Sequence, residues 1–154
     1  MLDPSQTPRT SRLFNVLGVL YPFVLSDVEK LVVAERYAAA TRAGDAEALA
    51  EVCEPDAVVW HSFDNVTVSA DRAARTLRWL HGSAPDVTWT DVAMLPTPCG
   101  FVWQALLSGT APGGSFAAHS CMVMTLSDNG LVVKTEEYID PAALSALRAD
   151  QSRS

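Results

Sequence analysis

One stretch joins an apolar run to groups that can move protons: Val58-Val59-Trp60-His61-Ser62-Phe63-Asp64-Asn65. An imidazole titrates near a pKa of about 6.5, so it can accept and return a proton close to neutrality, as a general acid-base group must. The valines and the tryptophan fix the backbone ahead of it, which brings His61 to the mouth or floor of whatever cavity the domain encloses. A histidine base works best when a second group orients it. Asp64, three residues on, is one candidate, although Asp64-Asn65 reads equally well as a turn. The plain alternative for His61 is a hydrogen-bonded structural histidine at a strand end. His81 and His119 fall in separate elements, so the histidines form no metal-ligand pattern. There is no phosphate-cradling glycine loop, nucleophile elbow or dinucleotide fingerprint, and no cofactor is implied.

The 154 residues suffice for one domain with a real core, and 19% charged residues is an ordinary globular balance. A net charge of −7 argues against a nucleic-acid partner, because phosphate binding relies on clustered Lys and Arg. Cys53, Cys99 and Cys121 are widely spaced and odd in number, which suggests reduced, buried thiols rather than a disulfide framework or zinc knuckle. Residues 1–12 are polar, and Arg9 and Arg12 precede the apolar run Leu13 to Leu25. That run is too short for a membrane-spanning helix, contains Asn15, Gly18 and Pro22, and lacks a small-x-small cleavage site. A cytoplasmic protein with a docked or partly disordered N-terminal extension over residues 1–25 is expected, with no membrane partner. The tail, 149–154, reads as disordered.

The elements that must position His61 follow from capping and periodicity. Ser26-Asp27-Val28-Glu29 is a capping box that opens a helix. Its stripe of Leu31, Ala34, Tyr37, Ala38 and Thr41 ends at Gly44. Asp45 caps a second short helix, which Pro55-Asp56 breaks, and Ala57 to Trp60 begins a strand. Val66-Thr67-Val68 is short and alternating. Ser69 or Asp71 opens a third helix ending near His81-Gly82, with His81 a helix-end cation or exposed. Arg72, Arg75 and Arg78 lie on one face of it, an anion site or a solvated surface. Four strands follow, Val87 to Leu95, Phe101 to Gly109, Phe116 to Leu126 and Leu131 to Ile139, each separated by turn chemistry. Asp140-Pro141 caps a last short helix. Helices followed by a meander predict an α+β fold, a curved antiparallel sheet packed against N-terminal helices to form a cone with an apolar pocket.

The run Arg36-Tyr37-Ala38-Ala39-Ala40-Thr41-Arg42-Ala43-Gly44-Asp45, the following Glu54-Pro55-Asp56-Ala57-Val58 and the late Asn129-Gly130-Leu131-Val132-Val133 resemble the nuclear transport factor two-like superfamily. Within it the chain is most similar to SnoaL-like polyketide cyclases and ketosteroid isomerases over residues 26–148, a cystatin-like cone. The resemblance implies a SnoaL-like domain across that range, a small apolar oxygenated substrate and a homodimer paired through the outer sheet face, where Trp89 or His119 could sit. Read without gaps, the spacing sets Tyr37 in the place of the isomerase's oxyanion-hole tyrosine and His61 in that of its base. Counted back from Asn129-Gly130, its protonated aspartic acid falls on Met122, which cannot donate that hydrogen bond, so steroid isomerisation by that mechanism is disfavoured.

With Tyr37 and His61 inward, strand parity also turns Thr135, Glu137 and Ile139 inward, unless a bulge reverses the register. Glu137 is then the preferred candidate for the group that orients His61, with Asp64 the alternative. Val33, Val59, Trp103, Ala105, Leu107, Met122 and Thr135 are expected along the pocket as substrate contacts, while Trp79 and Trp89 read as core or wall. His119 has the opposite parity to Met122 and is expected to point outward. The implied activity is of isomerase, dehydratase or cyclase type. A non-catalytic ligand-binding or dimerisation module on the same fold is the competing expectation.

Overall fold

A computed structural model of the chain describes residues 24–148. The expectations for the tail and for all but the last two residues of the extension lie outside that range. Helix α1 spans Asp27–Ala43 and α2 Ala46–Glu51. Strands β1 (Cys53–His61) and β2 (Val66–Ser69) follow, then α3 (Ala70–Ser83). The long strands are β3 (Thr88–Thr97), β4 (Gly100–Ala111), β5 (Gly114–Leu126) and β6 (Val132–Ile139). A 3-10 turn, Pro141–Leu144, leads into α4, Ser145–Arg148.

The local signals act as their chemistry requires. Ser26 Oγ accepts from the Glu29 amide at 3.3 Å, and Glu29 Oε2 accepts from the Ser26 amide at 2.8 Å. Gly44 ends α1 in the left-handed region at φ 64°, and a Cβ there would come within 2.8 Å of the His81 ring. Asp45 Oδ1 accepts from the Glu47 and Ala48 amides and starts α2. The Asn129-Gly130 turn joins β5 to β6, with Gly130 donating to the Ser127 carbonyl at 2.9 Å.

The sheet order is β2-β1-β6-β5-β4-β3. The meander is antiparallel as expected, but β1 lies parallel to β6, the last strand. Strand β1 is also longer than its apolar core. It starts at Cys53 and carries Pro55-Asp56 in an irregular stretch, where Cys53 pairs with Val132 and Val58 with Lys134. Proline is tolerated there because a bulge needs no ladder donor. A second irregularity lies between Asp91 and Ala93 on β3. Bulges of this kind bend and twist a sheet, which gives the curvature of the cone.

The inner face and α1 form the core. Phe101, Trp103 and Ala105 are wholly buried, with Met122, Met124 and Val132 nearly so. Tyr37 stacks edge-on against Phe101 and Trp103, with ring centroids 6.5 Å away in each case. Two members of the buried face of α1, Lys30 and Ala40, were not expected from its stripe. Lys30 is 6% exposed, and its Nζ donates to the Thr97 carbonyl at 2.7 Å and to Asp27 at 3.3 Å. The carbonyl gives the buried ammonium a partner that the helix pattern could not announce.

Candidate active site

Two strands that are distant in sequence build the site. The parallel register pairs Val59 with Thr135 and His61 with Glu137, so one inner row holds an aliphatic residue beside a hydroxyl and the next an imidazole beside a carboxyl. His61 Nε2 lies 3.6 Å from Glu137 Oε2, and their side chains are 16% and 20% exposed. That separation suits an ion pair, or a proton passed with a small side-chain adjustment, and the partial exposure leaves the pair reachable. Ser62 locks the junction: its amide donates to the Glu137 carbonyl at 2.9 Å, and its Oγ accepts from the Ile139 amide at 3.3 Å. The Phe63 ring covers one side of the imidazole, with centroids 5.0 Å apart.

Burial sets the proton affinities. It pushes the Glu137 carboxyl up to about 7, because a carboxylate loses hydration in an apolar setting. It lowers His61 below its usual value for the complementary reason, with the Asp64 charge opposing. Glu137 therefore titrates near neutrality, while His61 favours its neutral form more than a free imidazole does. Deeper in the cone, the Tyr37 and Thr135 hydroxyls lie 3.5 Å apart. Burial raises the Tyr37 phenol far above its ordinary value, with the Thr135 hydrogen bond opposing and the charges of Cys53 and Glu137 adding to the rise. Tyr37 thus stays protonated, a donor rather than a base. The Glu137 influence links the two rows electrically.

Asp64 is not brought into contact with His61. Its Oδ1 accepts from the Val66 amide at 3.0 Å, the hydrogen bond of an Asx turn, and Asn65 beside it takes φ 55°. It acts on His61 only through its field. The positions expected along the pocket, Trp103, Ala105, Leu107, Met122 and Thr135, are all buried inward, with Val33 and Val59 half-buried. Met122 stands between Glu137 and Trp103 in the row of His61.

Several expectations change. Trp79 is 44% exposed rather than part of the core. Trp89 is buried, packs against the His81 ring at 5.8 Å and offers no surface to a second subunit. His81 is half-buried, with its Nε2 3.0 Å from the Thr41 carbonyl, rather than a free helix-end cation. Cys99 is exposed and Cys53 and Cys121 are half-buried, all three unbridged, because Cys99 falls in the turn between β3 and β4. His119 points outward as its parity required. Sequence reasoning missed Ser62, Phe63 and Ser120, for which alternation along β5 was the one available signal. Among the described residues no three His, Cys, Asp or Glu side chains gather as a metal site would need.

Two surface concavities lie away from the pair. One, about 310 Å³, lies between α1 and α2, lined by Arg36, Ala40, Ala48 and Val52 among others. The other, about 430 Å³, lies on α3 against Arg72, Arg75, Thr76 and Trp79. The inner positions beside the pair, Trp103, Ala105, Met122 and Thr135, are at most 5% exposed.

A curved sheet closed by helices, with its ionisable groups on the concave side, defines the nuclear transport factor two-like class of α+β cones. Residues 34–135 match the SnoaL-like domain, and the chain belongs to that family. Among similar solved structures, IdmH from Streptomyces antibioticus, a candidate polyketide cyclase, is 18% identical with a TM-score of 0.67, over 78% of this chain and 99% of that one. PrhC from Penicillium brasilianum NBRC 6234 is 13% identical with a TM-score of 0.71, over 81% and 91%. A hypothetical protein with a ketosteroid isomerase-like fold from Catenulispora acidiphila DSM 44928, in complex with trimethylamine, is 13% identical with a TM-score of 0.64, over 72% and 87%. At such identities the likeness carries the fold alone. None of the curated proteins matches the chain in sequence. No helix among the described residues is long and apolar enough to cross a membrane.

Proposed function

We propose that this SnoaL-like chain is a small-molecule enzyme of isomerase, dehydratase or cyclase type, with His61 and Glu137 as its acid-base pair. The observation that carries this reading is their pairing across β1 and β6, 3.6 Å apart with both side chains partly exposed. Neutral His61 takes a proton from carbon next to a carbonyl of an apolar, oxygenated substrate. Ionised Glu137 stabilises the imidazolium that forms, and the protonated Tyr37 phenol donates to the developing enolate oxygen. The imidazolium then returns the proton to a different carbon, or to a leaving oxygen. Polyketide intermediates have the required apolar, carbonyl-bearing chemistry, and the name of the IdmH structure supports that direction.

The test is hydrogen exchange. Apolar ketones such as α-tetralone, incubated with the protein in heavy water, are followed by NMR for loss of the proton next to the carbonyl. Exchange above buffer in the wild type, lost in His61→Ala, is expected. Equal exchange in the variant sinks the assignment.

One observation favours a second reading, a non-catalytic ligand-binding or dimerisation module. The inner positions beside the pair, Trp103, Ala105, Met122 and Thr135, are almost wholly shielded from solvent. Under it, ketones bind without exchange or do not bind at all. A homodimer fits the outer face, where Val92, Leu95 and Tyr138 are exposed. A light-scattering mass equal to the monomer rejects that pairing.

A further inference from the structure

Two buried side-chain polar atoms among the described residues have no hydrogen-bond partner, Ser120 Oγ and Trp89 Nε1. Ser120 is the one next to the acid-base pair. It sits on β5 at an inward position, 3% exposed, opposite Ala105 on β4 and Ile139 on β6. Met122, the next inward residue of β5, pairs with Glu137, so Ser120 is the diagonal neighbour of Glu137, at a Cα distance of about 7–8 Å. A hydroxyl buried without a partner gives up its hydration with no hydrogen bond to offset the loss. The chain avoids that cost at the adjoining inward positions, Ala118 and Ala105, where it uses alanine. Nothing in the packing demands a hydroxyl at residue 120, since a methyl group would fill nearly the same space.

We infer that Ser120 is a specificity residue of the same site, its hydroxyl bonding a second substrate oxygen held one inward row from the His61–Glu137 pair. The assignment rests on the acid-base reading for its substrate class. Inward positions repeat every two residues, a rise of about 6.6–6.8 Å along a strand. Three successive inner levels therefore carry polar groups: Tyr37 with Thr135, His61 with Glu137, and Ser120. The matching ligand is an elongated apolar molecule oxygenated on both sides of its reacting carbon. The side chains over this end of the cone include Ala146 and Leu147 of the short α4, which packs on β5. Such a ligand takes up space where these side chains lie, so the terminal segment must shift to admit it.

Calorimetric titration with β-tetralone, whose reacting carbon lies between the carbonyl and the aromatic ring, and with a hydroxy-β-tetralone carrying its hydroxyl on that aromatic ring tests this. The wild type is expected to bind the hydroxylated ketone about tenfold more tightly, and Ser120→Ala to bind the two equally. The melting temperature of Ser120→Ala should stay level or rise, because no native hydrogen bond is lost; a fall marks a structural hydroxyl and overturns the inference. Retention of the tenfold preference by Ser120→Ala also overturns it, even where exchange still depends on His61. Loss of the preference in a protein that shows no exchange leaves Ser120 as a binding residue and removes the catalytic reading alone. Failure of the wild type to bind either ketone rejects both.

Discussion

Two clusters of opposite charge flank the same sheet, and they are built to different ends. At the β3 edge, Asp91 Oδ1 accepts from the Arg42 guanidinium and, at 2.8 Å, from Trp103 Nε1. Arg42 also donates to the Trp89 carbonyl at 3.1 Å and lies over the Trp103 ring. Arg42, Asp91 and the Trp103 indole are each bonded there, and the cluster ties the end of α1 to the bulged strand. At the β1–β6 junction, His61 and Glu137 have each other at 3.6 Å, and neither side chain has another hydrogen-bond partner among the described residues. A saturated cluster fixes geometry. An under-bonded pair in a desolvated setting leaves a proton with two places to go.

Substitutions at the two clusters should separate these roles. The largest effect is expected from His61→Ala, which should slow ketone exchange by about 10²–10⁴-fold, the usual share of general acid-base catalysis, with little change in melting temperature. Next comes the pH dependence of stability at Glu137. Its folded pKa of about 7 lies above the 4.5 of an unperturbed carboxyl, so the folded state holds the proton more tightly. The stabilising protonated form is fully present below about pH 4.5 and is lost as pH rises through 7, a difference of about 3 kcal/mol. Glu137→Gln should therefore raise stability in denaturant titrations at pH 8 and leave it nearly unchanged at pH 4. His61 works in the opposite sense, its lowered pKa costing stability as pH falls below its unfolded value of 6.5.

Arg42→Met should lower stability by about 1–3 kcal/mol in the same titrations, because Asp91 and Trp103 lose a shared partner, while exchange of bound ketone persists. Equal damage to exchange would mean that the β3 cluster also serves the site. The smallest stability change, within about 1 kcal/mol, belongs to Tyr37→Phe, since its hydroxyl contact with Thr135 is long at 3.5 Å. Its exchange rate should nonetheless fall, separating a donor to substrate from a core tyrosine.

Much of this arrangement was legible beforehand, and the exceptions share a cause. The capping box at Ser26, the stop at Gly44 and the Asn129-Gly130 hairpin are local, written within a few residues and read directly. With Tyr37 and His61 set inward by the family resemblance, strand parity turned Thr135 and Glu137 inward, where the structure has them beside Met122. The trouble came where a partner lies far along the chain. The stripe of α1 gave no hint that Lys30 would be buried, because its acceptor is the Thr97 carbonyl. Trp79 read as core by its type, yet α3 presents it to solvent. His81 has its role only because Thr41 and Trp89 come to meet it.

The sequence by itself determined the elements, their caps and turns, and the arrival of a histidine at the end of an apolar strand. It left two carboxylates as possible partners for that histidine. The tertiary structure decided between them when β1 came to lie parallel to β6, pairing His61 with Glu137 while Asp64 turned back to its own loop. Strand pairing between distant segments depends on the summed burial of two whole faces, and a slip of one residue would have turned Glu137 outward.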